Sequence, residues 1–183
     1  MFSMLMAASR CLSDMTKAQK FVIMGVSGCG KSSVGAALGE KLGVAYVDGD
    51  DLHPASNIEK MSKGLPLNDE DRWPWLAKVG EALAANSGRA IIGCSALKRV
   101  YRDKIRNAVA EPVLFIHLAG SREVIGARMG KREGHFMPGS LLESQFATLE
   151  PPQNDELALT VDIDQPLEGI ISAILAALED TKP

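Results

Sequence analysis

Residues 20–50 read KFVIMGVSGCGKSSVGAALGEKLGVAYVDGD, and the rest of the chain is arranged around them. The apolar run Phe21-Val22-Ile23-Met24 leads into Gly25-Val26-Ser27-Gly28-Cys29-Gly30-Lys31-Ser32, which fits G-x-x-x-x-G-K-[ST] at every fixed position. Glycines are needed there because the backbone must adopt φ values that other residues resist, and because no Cβ can stand between the amides and a phosphate oxygen. From Lys31 to Leu42, the residues Val34, Ala37, Leu38 and Leu42 recur at helical spacing. The loop therefore sits at a helix N-terminus, whose partial positive charge favours an anion. This strand, loop and helix predict a phosphate-binding loop from Gly25 to Ser33. Its Lys31 would reach the β- and γ-phosphates of a nucleotide and its Ser32 a magnesium ion.

The chain has 183 residues, 46% of them hydrophobic, with 17 Gly and 9 Pro spread along it, which suits one globular domain. A net charge of −3 and a pI near 5.6 argue against a broad grip on nucleic acid and point to a small-molecule substrate. The three cysteines, Cys11, Cys29 and Cys94, lack C-x-x-C spacing, so neither a disulfide framework nor a zinc site is indicated and a reducing cytoplasm is expected. The mildly apolar start lacks a basic n-region and is broken at Arg10; it makes a poor signal peptide and cannot span a bilayer. Residues 1–18 are expected to form a disordered extension, and 19–183 a single domain built on the phosphate-binding loop.

Short apolar runs at 21–25, 44–47, 90–94, 112–118 and 158–163 alternate with helical patterns near 31–42, 71–86, 98–108, 121–130, 139–149 and 167–179. That alternation predicts a three-layer α/β/α fold with a five-stranded parallel sheet. Ligands in such a sheet bind beyond the carboxyl ends of the strands, so the residues after each strand are the candidates. After strand two comes Asp48-Gly49-Asp50-Asp51-Leu52-His53-Pro54, whereas strands three and four end without an acid. Strand two must then supply it. Asp50 is assigned as acceptor of the attacking hydroxyl's proton and Asp48 as a magnesium ligand, roles that the sequence leaves exchangeable.

Residues 57–75 form a polar, turn-rich insertion expected to act as a lid or substrate loop, with Trp73 and Trp75 pinning it to the core. Lys98 and Arg102 lie at i, i+4 near a helix start, where positive charge is unfavourable unless an anion, here an anionic substrate group, offsets it. Residues 128–137 gather Arg128, Lys131, Arg132 and His135 around two glycines, which suits a lid near 128–140 that closes on a triphosphate and offers Arg132 to the transferring group. His117, inside an apolar strand, reads as a core histidine. The turn holding Gln165 and Pro166 would lie against the nucleotide base.

The segments GVSGCGKS, DGDDLHPASNIEKMSKGLPLNDEDRWPWL, CSALKRVYRD, KREGHF and VDIDQP together resemble the gluconokinase family, from about residue 20 to the last helix. The resemblance implies phosphorylation of D-gluconate on its 6-hydroxyl by ATP and Mg2+, on a P-loop fold like that of shikimate and nucleoside-monophosphate kinases, in a homodimer. By the same resemblance Arg128 would stack on adenine, Arg132 would contact phosphate, and His53, Arg72, Lys98, Arg102 and His135 would be candidates for the sugar acid. Cys29 departs from the family, where Ser is commoner. Residue physics alone leaves open shikimate or a nucleotide as acceptor, and a non-catalytic nucleotide-binding module.

Overall fold

The computed structural model describes residues 18–130 and 139–179. Its sheet has five strands, all parallel, in the order β2-β3-β1-β4-β5. These are β1 (Lys20–Met24), β2 (Tyr46–Asp48), β3 (Ala90–Gly93), β4 (Val113–Ala119) and β5 (Ala158–Asp162). The helices are α1 (Lys31–Leu42), α2 (Ala55–Ser62), α3 (Asp69–Ala84), α4 (Arg99–Asn107), α5 (Arg122–Gly130), α6 (Gly139–Thr148) and α7 (Leu167–Glu179). No helix among the described residues is long and apolar enough to cross a membrane.

Strand β1 is central and buried at every position because it needs an apolar side chain for each face. Its alternation sends Phe21 and Ile23 to one side, where they join Leu114 and Ile116 of β4 under Val34 and Leu38 of α1 and Ile170, Ile171 and Ile174 of α7. Val22 and Met24 go to the other side, with Ile92 and Phe115 under Trp75, Leu76, Val79 and Leu83 of α3 and Tyr101 and Ile105 of α4. The expected three layers are present. His117 is a core histidine as expected, 4% exposed and 3.5 Å from Thr160 Oγ1 through Nδ1.

Most boundaries move by a residue or two from the sequence reading, and two of the shifts have identifiable causes. Strand two begins at Tyr46, not at 44, because Gly43 is left-handed (φ 68) and Val44 N–H is used at 2.8 Å on the Gly39 carbonyl, closing the C-terminus of α1. The stretch taken as an irregular insertion contains α2 and the first turn of α3. Asn68 and Asp71 form a reciprocal capping box that starts α3 two residues earlier than expected.

One ion pair is wholly internal. Arg102 is 0% exposed, and its Nε and Nη2 donate to the two carboxylate oxygens of Glu156 at 2.6 and 2.7 Å. Its Nη1 donates to the carbonyls of Glu150 at 3.0 Å, Ala96 at 3.2 Å and Leu97 at 3.4 Å. The guanidinium thus ties α4 to the segment before β5 and to the turn after β3, where Ala96 holds φ 44, a conformation costly for a residue with a Cβ. This corrects the expectation for Arg102. The anion that offsets its charge is the protein's own Glu156, and the fully buried guanidinium presents no face to a substrate. Burial raises the Glu156 carboxyl, but Arg102 and the Gln153 N–H more than reverse it, leaving the group below the usual carboxylate range.

Arg102→Met should lower stability by about 3–5 kcal/mol, because it strands a buried carboxylate. The loss is read from the urea midpoint. Adding Glu156→Leu should recover part of it, since the unpaired charge is then gone.

Candidate active site

The loop after β1 turns on three glycines at positive φ: Gly25 (140), Gly28 (80) and Gly30 (104). A Cβ on Gly28 would stand 2.5 Å from Met129 Cγ, so close packing as well as backbone freedom demands glycine there. The loop is tied to the end of β3 by Gly25 N–H to Ser95 O at 3.3 Å, and Cys29 N–H closes a tight turn on Val26 O at 3.3 Å. No side chain caps α1, and its first turn holds no acid, so its leading amides are left for an anion. Lys31 Nζ folds back over the loop onto the carbonyls of Gly25 and Val26, at 3.2 Å each. Ser32 and Ser33 are exposed at the start of the helix. Cys29 is buried, and burial raises its thiol despite Lys31 and Arg128, so it is a neutral packing group.

The acids reach this loop from β2. Ser32 Oγ donates to Asp48 Oδ2 at 3.0 Å, and Asp48 Oδ1 accepts the Asp50 N–H at 3.1 Å, capping the single 3-10 turn Gly49–Leu52. The approach of β2 depends on Tyr46, whose ring occupies the space a Cβ on Gly35 or Gly93 would need, at 2.2 and 2.0 Å. Desolvation by the cleft raises the Asp50 carboxyl, with Lys31 opposing and Asp48 and Asp51 adding to it. Since 68% of the Asp50 side chain faces solvent, water screens part of that effect.

His53 follows the turn and is held on every side. It stacks on Trp75 at 4.0 Å between centroids, and Trp75 Nε1 donates to Gly49 O at 2.6 Å. Asn57 Nδ2 donates to Asp71 O at 2.8 Å and faces His53 Nδ1 at 3.3 Å, which makes Nδ1 the acceptor and puts the ring proton on Nε2. That Nε2 is 4.0 Å from Asp50 Oδ1. The tryptophans therefore anchor the segment, Trp75 in the core and Trp73 edge-on to Tyr101.

Arg72 and Lys98 converge on the Tyr101 ring, at 5.6 and 5.4 Å from its centroid. Lys98 is already paired with Asp69, at 2.8 and 2.9 Å, and the Tyr101 hydroxyl donates to the same carboxylate. Arg72 donates to the Leu67 carbonyl at 3.3 Å, and among the described residues no carboxylate lies within ion-pair distance of it. Cys94, at the end of β3, has its thiol pushed up to about 12, by burial first, and feels Asp50, Lys31 and Arg72 together. Asp50, the loop lysine and this cation are thus all close enough to the end of β3 to act on that thiol. Arg102 does not join them.

Arg128 lies at the other end of the loop. Its guanidinium donates to Cys29 O at 3.5 Å, to Ile163 O, and to Gln165 O at 3.3 Å, linking the phosphate loop to the turn before α7. Pro166 O accepts the Gly169 and Ile170 N–H groups at the start of that helix. Lys131, Arg132 and His135, assigned to the lid, lie outside the described residues. The sequence reading missed Asn57 and Asp69, polar residues in a polar stretch with no spacing that marks them. It also missed Gln145, whose Oε1 accepts the Ser27 N–H at 2.6 Å.

Burial, reinforced by the Arg72 charge, lowers the His53 imidazole from 6.5 to about 4; burial and Arg102 lower His117 likewise. Between 6.5 and about 4 the unfolded chain therefore binds more protons than the native one, and stability should fall as pH falls through that window. Urea midpoints across it should show the decline, and His53→Gln should flatten it without abolishing the part due to His117.

The AAA domain family matches residues 21–152 of this chain. The thermoresistant gluconokinase of Escherichia coli K12 is 46% identical over 167 residues, covering 88% of this chain and 94% of that protein. The gluconokinase of Gluconobacter oxydans 621H is 44% identical over 163 residues, covering 87% and 90%. The crystal structure of a gluconokinase from Sinorhizobium meliloti 1021 superposes with a TM-score of 0.83 at 50% identity, over 88% of this chain and 91% of that one. The shared length runs through the phosphate loop, the acidic turn after β2 and the cation pair on Tyr101, and on that likeness the chain belongs to the gluconokinase family.

Proposed function

We propose that the protein transfers the γ-phosphoryl group of ATP to the 6-hydroxyl of D-gluconate, giving 6-phospho-D-gluconate. The observation that carries this reading is Lys31 folded over the phosphate loop, with the turn bearing Asp48 and Asp50 bonded to the loop's Ser32 and Arg72 left on the Tyr101 ring without a carboxylate among the described residues, in a chain with gluconokinase relatives. A phosphate-binding cation, a proton acceptor and an uncompensated cation are what a kinase of a sugar acid requires. The loop from Gly25 to Ser33 cradles the phosphates through the amides that the protein leaves unused, and Arg128, Gln165 and Pro166 flank the adenine. Ser32 Oγ and Asp48 Oδ2 are hard oxygen donors 3.0 Å apart, which fits Mg2+, an ion that keeps most of its waters and takes few protein ligands. When held there by Ser32 and Asp48 it would neutralise the charge of the phosphates.

Asp50 accepts the proton of the attacking hydroxyl, and the neutral His53 offers its Nε2–H beside it, the 4.0 Å between them being spanned by that hydroxyl's oxygen. Arg72 binds the sugar-acid carboxylate, with Lys98 held alongside by Asp69. Because the transition state of phosphoryl transfer is loose, positioning and charge neutralisation by Lys31 outweigh the base. Arg132 and His135 keep the role of lid residues on their sequence alone. The two described cysteines are buried and free, which suits a reducing cytoplasm, and a homodimer is carried over from the family resemblance.

ADP release should be measured in parallel with gluconate, shikimate, nucleoside monophosphates and other sugar acids. Gluconate should be used best; preferred turnover of another acceptor would overturn the reading. Asp50→Asn should lower kcat by about 10²–10⁴-fold with ATP affinity nearly unchanged. Arg72→Ala should raise the gluconate KM by about tenfold to a hundredfold and leave the ATP KM alone, as expected for loss of a charge-assisted carboxylate contact.

A further inference from the structure

The Ser27 N–H donates to Gln145 Oε1 at 2.6 Å, joining the phosphate loop to α6 across 118 residues of chain. A main-chain N–H can be met only by the carbonyl end of a glutamine, so this bond fixes which way the amide faces. The Nε2 donors lie on its other end, and among the described residues they meet no partner. Gln145 is partly buried. An amide fixed at one end and uncommitted at the other, beside a cradle of inward N–H groups, is poised to donate to whatever the cradle holds.

Position along the loop decides which phosphate that is. Lys31 Nζ rests on the carbonyls of Gly25 and Val26, immediately ahead of Ser27, and the lysine of this motif reaches the β- and γ-phosphates. Cys29, later in the loop, faces Arg128 and through it Ile163 and Gln165, on the nucleoside side. Ser27 therefore belongs to the γ-phosphate end. We propose that Gln145 contacts the transferring γ-phosphoryl group, its Nε2 donating to a γ-oxygen, so that α6 distinguishes ATP from ADP. This rests on the phosphoryl-transfer reading above and adds a residue to it.

Two substitutions separate this role from that of a mere clamp. Gln145→Glu keeps an acceptor for the Ser27 N–H but replaces the Nε2 donors with negative charge, whereas Gln145→Ala removes both. Affinities for ATP and ADP, measured by calorimetry without acceptor, and kcat with gluconate are the readouts. Gln145→Glu should weaken ATP at least about tenfold and lower kcat by about tenfold to a hundredfold, with ADP affinity changed less than about twofold. Gln145→Ala should lower kcat to a lesser extent and spare ADP. A Glu variant that matches wild type, or variants that weaken ATP and ADP alike, would overturn the proposal. Should the wild-type protein fail to use gluconate, the acceptor assignment falls, and the ATP-to-ADP comparison still decides Gln145.

Discussion

The constraint on which the rest depends is that the loop and the start of α1 must keep some peptide N–H groups free for an anion, while those of Gly25, Ser27 and Cys29 are spent on Ser95, Gln145 and Val26 to hold the loop in shape. Helix α1 satisfies its half by having no side-chain cap and no acid in its first turn. Strand β1 satisfies the other half by being buried between β3 and β4, which gives the loop a rigid root. A convergent set of unpaired donors is costly to assemble during catalysis; here the sheet assembles it in advance. The helix terminus and the lysine then act on charge that has nowhere else to go.

Around that loop, the protein distributes its own charges so that a few remain unpaired where a substrate belongs. Glu156 and three backbone carbonyls hold the buried Arg102, and Asp69 occupies Lys98. Arg72, close to the same Tyr101 ring as Lys98, has no such carboxylate among the described residues. Cations near one another in sequence therefore have different destinies, decided by which carboxylates the fold brings to them. The same logic separates the acids: Asp48 is spent on Ser32 and on capping a turn, while Asp50 projects into solvent with its charge opposed by Lys31.

Histidine 53 shows how packing sets chemistry. Stacking on Trp75 and the Asn57 bridge fix both its tautomer and its plane, and burial beside Arg72 keeps it neutral. It can donate through Nε2 without adding positive charge near Asp50, which a protonated imidazole could not do.

Much of this was legible in the residues alone. The loop pattern, the alternation of apolar runs with helical stripes and the lone acidic strand end sufficed for the three layers and for locating Lys31 and Ser32 on the loop and Asp48 and Asp50 on the turn beside it, because local backbone demands and periodicity are written in short windows. Arg102 could not be separated from Lys98 and Arg72 in that way. Its partner lies 54 positions away and meets it only when β5 pairs with β4. Gln145 was equally silent, an ordinary polar residue on a helix, until α6 brought it against Ser27. Sequence determined where the phosphate cradle must be, since glycine and φ are local matters; tertiary structure decided which charges remain available to a ligand, since pairing depends on distances that only the folded chain creates.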